Sequence, residues 1–266
     1  MAEYLLAHDL GTSGNKATLY DRQGRLCASC LAEYPTYYPH TGWAEQEPED
    51  WWNAVCTATW ALLDQAGVAP RDLAGVSFSG QMMGCVLVDQ EGAALRRALI
   101  WADTRATEEE RAMQAAAGAQ RGYRITGHRL SASYGAAKLL WVKNHQPEIY
   151  GKAYKMLNAK DYMVQRLTGK FVTDYSDASG TNLFDLKKKQ WSGELAEAFG
   201  LRRDLLPELH ASADVVGRVT PEAARQTGLP EGLPVVLGGG DGSCACVGAG
   251  VVKEGRTYCV LGSSSW

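Results

Sequence analysis

The chain has 266 residues, of which 45% are hydrophobic, 21% charged and 9% aromatic, and its 27 Lys and Arg against 30 Asp and Glu give a net charge of −3. These fractions are ordinary for a folded globular protein and exclude a disordered or collagen-like chain. No segment collects a basic stripe, and no apolar run approaches the ~18 residues of a membrane span. We therefore expect neither a nucleic-acid partner nor a membrane partner.

The N-terminus and the cysteines indicate the compartment. Residues 1–4 lack the basic region and apolar stretch of a secretory signal, and most of the seven cysteines lie in apolar runs, as buried, reduced thiols do. Cys27 and Cys30 have CxxC spacing, but a strand turns such positions to opposite faces and no second CxxC accompanies them. We expect a cytoplasmic protein with structural cysteines, a metal or redox pair being the weaker alternative.

The first part of the chain predicts an antiparallel meander and a helix. Apolar runs separated by glycine turns predict strands over 4–9, 16–20 and 26–34. A helix is predicted over 48–66, because acidic residues begin it, apolar residues recur at helical spacing and Gly67 ends it. A further strand is predicted over 76–79.

Helices alternate with strands in the remainder, which predicts an α/β plan with an elaborated first lobe. Three helices are predicted over 104–117, 136–145 and 159–167, and the alternating residues 171–191 predict a hairpin. A strand over 235–237 leads into three glycines, a tightly packed helix is predicted over 242–250, and a last strand over 256–261.

The first motif that could carry chemistry is the turn Asp9-Leu10-Gly11-Thr12-Ser13-Gly14. Its backbone N–H groups and the hydroxyls of Thr12 and Ser13 could donate to a phosphate, and Asp9 could hold Mg²⁺ through water. The spacing is not that of a Walker P-loop, and a plain hairpin turn with a capping aspartate stays open. Residues 261–264 echo the turn, which favours a second lobe that begins near residue 255.

The second motif is Gly238-Gly239-Gly240-Asp241. Three glycines allow the backbone to approach a ligand closely. Asp241 lies at the predicted N-terminus of a helix, which favours a carboxylate that could accept a proton from an attacking hydroxyl. The alternative is a capping aspartate after a flexible loop.

Two further segments follow apolar runs, where the ligands of α/β sheets lie. Gln81 could hydrogen-bond a hydroxyl-rich substrate, whereas the spacing of Met82 and Met83 favours a place in the core. Trp101 offers a stacking face and Asp103 an acceptor for sugar hydroxyls, although Asp103 is equally typical of a helix cap.

Taken in order, these motifs resemble the FGGY family of carbohydrate kinases. The similar stretches span nearly the whole chain: DLGTSG (9–14), WAEQEP (43–48) with WW (51–52), GQM (80–82), IWAD (100–103), KLLW (138–141), KDY (160–162), SDASGT (176–181) and GGGD (238–241).

The resemblance implies an actin-like, ribonuclease H-like α/β fold, with a mixed sheet, flanking helices and a sugar-binding insertion. It implies transfer of the γ-phosphate of ATP to a sugar hydroxyl, with ATP and Mg²⁺ bound in a cleft between two lobes. The residues to which it assigns roles are Asp241 as catalytic base and sugar contact, Asp9 as the Mg²⁺-linked acid, Gly11, Thr12 and Ser13 in the first phosphate turn, Gly262 and Ser263 in the second, and Gln81, Met82, Met83, Trp101 and Asp103 at the sugar.

The resemblance makes D-xylulose the first expected substrate, phosphorylated to xylulose 5-phosphate. Met83 stands where related sugar kinases carry a histidine, and Gly242 where asparagine is common, so another pentulose or a polyol stays open. A non-catalytic sugar-binding fragment and an actin-like ATPase also stay open, and a homodimer is compatible with the sequence.

The same resemblance divides the chain into a sugar-binding lobe, 1–250, and the first strand and phosphate turn of a nucleotide-binding lobe, 251–266. The adenine pocket would lie outside the chain. We therefore expect residues 1–266 alone to bind sugar weakly and to be inactive or nearly so as a kinase.

Overall fold

The computed structural model describes residues 3–259. Its strands are β1 (Tyr4–Leu10), β2 (Gly14–Asp21), β3 (Leu26–Glu33), β4 (Glu45–Gln46), β5 (Leu73–Gly80), β6 (Val86–Val88), β7 (Ala98–Leu99), β8 (Lys155–Leu157), β9 (Val172–Asp174), β10 (Phe184–Asp185), β11 (Gln190–Trp191), β12 (Glu208–His210), β13 (Val215–Arg218) and β14 (Pro234–Gly240). Its α-helices are α1 (Pro48–Ala66), α2 (Thr107–Ala117), α3 (Ala119–Thr126), α4 (Gly135–His145), α5 (Pro147–Lys152), α6 (Ala159–Thr168), α7 (Tyr175–Ser179), α8 (Gly193–Ala198), α9 (Pro221–Thr227) and α10 (Asp241–Gly248).

A six-stranded mixed sheet organises the fold, in the order β13-β14-β5-β1-β2-β3. β1, β2 and β3 form the predicted antiparallel meander. β5 lies parallel to both β1 and β14, its neighbours on either side. The carboxyl ends of these three parallel strands therefore meet at one edge of the sheet, which is where α/β sheets bind ligands.

Helix α1 has the predicted bounds, and local chemistry explains both of its ends. Pro48 occupies the first turn, where its missing N–H costs nothing, and Glu49 and Asp50 face the positive end of the helix dipole. Gly67 ends the helix in the left-handed conformation, with φ of 62°. The helix packs on β2 and β3 through a face that buries Trp51.

Two hydrophobic clusters make up the core. The first lies between the sheet and α1, α6 and α9. The second joins α2, α4, α5 and α8, which belong to the insertion between β5 and β14. The short strand β6 links them, because Val86 and Val88 belong to the first cluster and Leu87 to the second. This alternation follows from the two-residue period of a strand.

The hairpin predicted over 171–191 is wrong for most of its length. Residues Val172–Asp174 form β9, and helix α7 follows directly. The Asp174 side chain caps α7, since it accepts hydrogen bonds from the backbone N–H groups of Ser176 and Asp177. Only Phe184–Asp185 and Gln190–Trp191 pair as a small hairpin.

Three further predictions need correction. Helix α10 buries no residue, so the tightly packed helix expected there is wrong. Residues 256–259 lie in no strand, and the rest of the last predicted strand, with Gly262 and Ser263, lies outside the described residues. The expectation that most cysteines are buried is wrong, since only Cys85 of the seven is buried. Cys27 and Cys259 are exposed, and the other four are half-buried. Among residues 3–259 no helix is long and apolar enough to cross a membrane.

The three glycines before Asp241 belong to β14 instead of a loop. Gly238 has a φ of 76°, and a Cβ there would lie 1.7 Å from the Phe78 carbonyl oxygen of the neighbouring strand β5. The register of β14 against β5 shifts between Val236 and Gly239. Gly238 thus allows the bulge that brings the end of β14 against β5.

We expect Gly238→Ala to destabilise the protein strongly, because the new Cβ meets main chain that cannot move aside and the left-handed conformation adds strain of about 1–3 kcal/mol. Gly232→Ala is the matched control, since Gly232 has a φ of 79° and open space around its Cβ position. Urea unfolding of both variants measures the difference. Equal midpoints would contradict the close approach of β14 to β5.

Candidate active site

The two candidate acids lie at the ends of parallel strands on either side of β5. Asp9 of β1 pairs with Ser79 of β5, and Ser79 pairs in turn with Gly239 of β14. Asp241 follows β14 directly. Two strand spacings separate β1 from β14, or about 10 Å. The fold therefore brings together two aspartates that are more than two hundred positions apart in the sequence.

Asp241 begins helix α10, and its environment strengthens it as a base. Its Oδ1 accepts a hydrogen bond of 2.7 Å from the Gly242 backbone N–H. Burial raises the pKa of Asp241 and the negative charge of Asp9 raises it further, against the opposing effect of the Gly242 bond. A carboxylate with a raised pKa accepts a proton more readily from a hydroxyl.

The turn after β1 is held on several sides. Gly11 N–H donates to the Gly14 carbonyl over 3.0 Å, and the Tyr34 hydroxyl donates to the Gly11 carbonyl over 2.6 Å. The indole N–H of Trp101 donates to the Thr12 hydroxyl oxygen over 2.9 Å, which leaves the Thr12 hydrogen available for a ligand. The turn is therefore preorganised, and Trp101, expected at the sugar, also supports it.

Gln81 lies beneath this turn. Its side chain is 3% exposed, and its amide donates to Gln46 Oε1 over 2.7 Å and to the Gly11 carbonyl over 3.4 Å. Gln46 in turn donates to the Thr12 carbonyl over 2.6 Å. In this structure Gln81 faces the turn instead of open space, and Gln46, which was given no role from the sequence, completes the link.

Met82 and Met83 form a half-buried surface next to Asp241. A Cβ on Gly240 would lie 2.5 Å from Met82 Cγ, so Met82 packs directly against the end of β14. Met83 has a φ of 59° and packs against Gly180. Both methionines are partly exposed and belong to neither hydrophobic cluster, which corrects the core placement that their spacing favoured.

Lys138 joins three segments that border this surface. Its buried ammonium donates to the carbonyls of Met83, Ile100 and Ser133, each over 2.7 Å. Burial lowers the pKa of Lys138 to about 7, and the Asp103 carboxylate opposes that shift. Lys138 begins the KLLW motif, but its role could not be predicted from the sequence, since two of its three partners lie far from it in the chain.

For the sugar that the family resemblance implies as substrate, we expect KM to rise as the pH rises through the pKa of Lys138, because a neutral amine has only two N–H donors for three carbonyls. An unpaired buried carbonyl costs about 1–3 kcal/mol of stability, and we expect the resulting shift of the segments around Met83 to raise KM by about tenfold. In Lys138→Met, KM should already be high at pH ~6 and change little up to pH ~8.5. Lys143→Met, which removes a surface amine bound to Gly200, is the control. A wild-type KM that does not change with pH would contradict this role.

A buried charge cluster lies behind the glycines of β14. Lys160 Nζ lies 2.6 Å from Asp161, 3.1 Å from Asp174 and 3.1 Å from Asp177, and all four side chains are fully buried. Burial raises the pKa of Asp177 well above its usual range despite the Lys160 ammonium, which favours the protonated form of this acid. Protonation of one acid reduces the excess of negative charge around a single cation.

Ser176 connects this cluster to the end of β14, just before Asp241. Its hydroxyl donates to Asp174 over 2.6 Å and accepts from the Gly240 backbone N–H over 2.9 Å. The position of the main chain just before Asp241 is thereby tied to the buried charges. Neither Ser176 nor Asp174 was singled out for this role from the sequence, because the bond exists only once α7 packs against β14.

Asp103 is placed differently from the sequence expectation. Its carboxylate is 0% exposed, accepts from the Ala44 backbone N–H over 2.7 Å and forms an ion pair with Arg105 at 2.6 Å. Arg105 lies 3.6 Å over the Trp43 ring. Asp103 therefore supports the segment that carries Trp101, and its contact with a sugar stays a prediction.

Residues 4–248 match the N-terminal domain of the FGGY family of carbohydrate kinases. The chain belongs to this family. It is 39% identical to the xylulose kinase of Bacillus subtilis (strain 168) over 98% of its own length and 52% of that protein's. The chain thus spans about half the length of the curated relatives it matches.

Two solved structures of sugar kinases give the same picture of the fold. The chain matches xylulose kinase from Rhodospirillum rubrum with a TM-score of 0.94 and 28% identity, over 98% of this chain and 54% of that one. It matches a "xyloylose kinase" from Brucella ovis with a TM-score of 0.90 and 34% identity, again over 98% and 54%. The predicted actin-like, ribonuclease H-like α/β fold is confirmed.

Proposed function

We propose that this chain is the sugar-binding part of an ATP-dependent kinase that phosphorylates a pentulose, D-xylulose first among the candidates. The observation that carries the proposal is the placement of Asp241, a half-buried carboxylate of raised pKa at the start of α10, across one strand from Asp9. The xylulose kinases among the relatives supply the choice of sugar.

In the proposed reaction a sugar hydroxyl attacks the γ-phosphorus of ATP, and its proton passes to Asp241. The bond from the γ-phosphorus to the β-phosphate oxygen breaks and releases ADP. Phosphoryl transfer depends mainly on positioning and charge stabilisation. The hydrogen bonds that fix the main chain at Thr12 and Gly240 would therefore serve the reaction by positioning the phosphate turn and Asp241. The methionine surface of Met82 and Met83 would hold the carbon side of the sugar.

Asp9 and the turn after it fit Mg²⁺ and the ATP phosphates. Mg²⁺ is usually held by one or two carboxylates together with substrate phosphates and water, and Asp9 presents an exposed carboxylate. Within residues 3–259 no group of three or more His, Cys, Asp or Glu side chains is arranged to hold a metal by itself. Bound Mg²⁺ would neutralise phosphate charge, and Thr12 and Ser13 would donate to the phosphates. Gly11 would shape the turn instead, because its N–H already donates to the Gly14 carbonyl. The second phosphate turn at Gly262 and Ser263 stays a prediction.

Met83 favours a second candidate substrate. A thioether is at most a weak acceptor and donates no hydrogen bond, so this position cannot read a sugar hydroxyl as a histidine would. Another pentulose or a polyol therefore remains the alternative substrate. A sugar-binding module without kinase activity is the alternative of a different class, with residues 1–250 as its lobe and 251–266 as the start of a second one.

The test is ADP release by the full-length gene product, measured in a coupled assay with ATP, Mg²⁺ and a panel of D-xylulose, D-ribulose, L-ribulose, xylitol and no sugar. We expect ADP release that depends on sugar, with the highest kcat/KM for D-xylulose. Sugar binding by calorimetry without sugar-dependent ADP release would favour the binding module. A higher kcat/KM for another sugar would replace D-xylulose and leave the kinase in place.

A further inference from the structure

We propose that His128, Tyr134 and Ser179, here called the His128 cluster, determine sugar specificity by hydrogen-bonding the hydroxyl at the end of the substrate remote from Asp241. The inference rests on the proposed function, since it assigns the partners of the same substrate. His128 Nε2 lies 3.0 Å from Ser179 Oγ, and His128 Nδ1 lies 3.3 Å from the Tyr134 hydroxyl. All three side chains are partly exposed.

The main chain places the His128 cluster beside Met83. The carbonyl of Ser133, the residue before Tyr134, shares the Lys138 ammonium with the Met83 carbonyl. Gly180, the residue after Ser179, packs against Met83, whose Cγ lies 3.4 Å from the Cβ position of that glycine. Tyr134 thus follows a residue that shares the Lys138 ammonium with Met83, and Ser179 precedes a residue that packs against Met83.

Met82 and Met83 contact two different segments of the proposed sugar site. Met82 packs against Gly240, just before Asp241, whereas Met83 packs against Gly180, just after Ser179. Met82 therefore contacts the segment that leads into Asp241, and Met83 contacts the segment that follows Ser179. A sugar lying on the methionines with one hydroxyl at Asp241 would point its other end at the cluster.

The protonation states of the cluster leave a donor for a ligand. Burial lowers the pKa of His128 and raises the pKa of Tyr134, so both side chains are neutral at neutral pH. A neutral imidazole has one donor and one acceptor nitrogen. If the Tyr134 hydroxyl donates to Nδ1, then Nε2–H donates to Ser179 Oγ, and the Ser179 hydrogen is available for a substrate oxygen.

A hydroxyl-rich substrate needs a hydrogen-bond donor of the kind that the His128 cluster offers. The methionine surface can bury carbon atoms but offers no donor, and a buried hydroxyl without a partner costs about 1–3 kcal/mol. A site built to hydrogen-bond a hydroxyl rejects an analogue that lacks it much more strongly than an apolar site could. The His128 cluster supplies these hydrogen bonds at the place where Met83 supplies none.

The experiment compares D-xylulose with 1-deoxy-D-xylulose, which lacks the hydroxyl at the remote end, in the full-length wild type and in His128→Phe. Calorimetric Kd and kcat/KM are measured for each pair. We expect the wild type to favour D-xylulose by about tenfold or more. His128→Phe should lose most of this preference, because the Ser179 hydroxyl loses the Nε2 partner that orients it toward the substrate. Ser179→Ala and Tyr134→Phe, each of which removes a single hydroxyl oxygen, should reduce the preference in the same direction.

His145→Phe is the matched control, because His145 is an exposed histidine that stacks on Trp141 at the other end of α4. It should keep the wild-type preference. An unchanged preference in His128→Phe, with the wild type active, would overturn the specificity inference and leave the kinase standing. A preference that depends on His128 in binding, without sugar-dependent ADP release, would instead support the inference and overturn the kinase.

Discussion

Asp241→Asn in the full-length protein is expected to lower kcat by ~10²–10⁴-fold, the usual contribution of a general base, with sugar affinity largely kept. The amide preserves the shape of the side chain and cannot take a proton from the sugar hydroxyl. The Gly242 N–H can still donate to the Asn side-chain oxygen, so the start of α10 should keep its position.

Single-turnover and steady-state rates with D-xylulose, together with calorimetry of sugar binding, measure this effect. Asp64→Asn is the control, since Asp64 is an exposed acid on α1. The pH profile adds a second readout: the reaction needs ionised Asp241, so the rate falls as pH drops through a pKa above the ordinary aspartate range. Turnover close to that of the wild type in Asp241→Asn would contradict the assignment of Asp241 as the general base.

Asp9→Ala is expected to abolish turnover while sugar binding without nucleotide survives. The exposed Asp9 carboxylate is the group that fits Mg²⁺, and loss of the metal leaves phosphate charge uncompensated in the transition state. Asp9 lies two strand spacings from Asp241. Asp9 takes no part in the contacts of the methionine surface with Gly240 and Gly180, so the methionine surface should remain intact in Asp9→Ala.

Calorimetry with sugar alone and ATP turnover over a range of Mg²⁺ concentrations separate these contributions. Asp64→Ala serves as the control. Loss of sugar affinity equal to the loss of turnover would place Asp9 in the sugar pocket. The same variant also removes the charge that raises the pKa of Asp241, which should lower that pKa.

Strands and helices that are specified by neighbouring residues could be predicted from the amino-acid sequence. The meander of β1, β2 and β3 was predicted from apolar runs between glycine turns, and α1 from a proline, two acids and a final glycine, because hydrogen bonds and caps within the element decide its ends. Asp9 and Asp241 were selected as candidates for the same reason, since each ends or follows an apolar run and precedes a turn or helix, and their catalytic roles stay predictions.

The sequence did not predict which polar residues support the site and which face it, because their partners come from distant segments of the chain. The ammonium of Lys138 finds carbonyls from three separated segments, and Ser176 reaches Gly240 across α7 and β14. Asp103, which the family resemblance placed at the sugar, is buried in an ion pair with Arg105. A buried charge or amide takes whichever partner the packing brings within hydrogen-bond distance, because leaving it unpaired costs more than any local preference. Long-range pairings of this kind are set by the fold and leave no periodic signal along the chain.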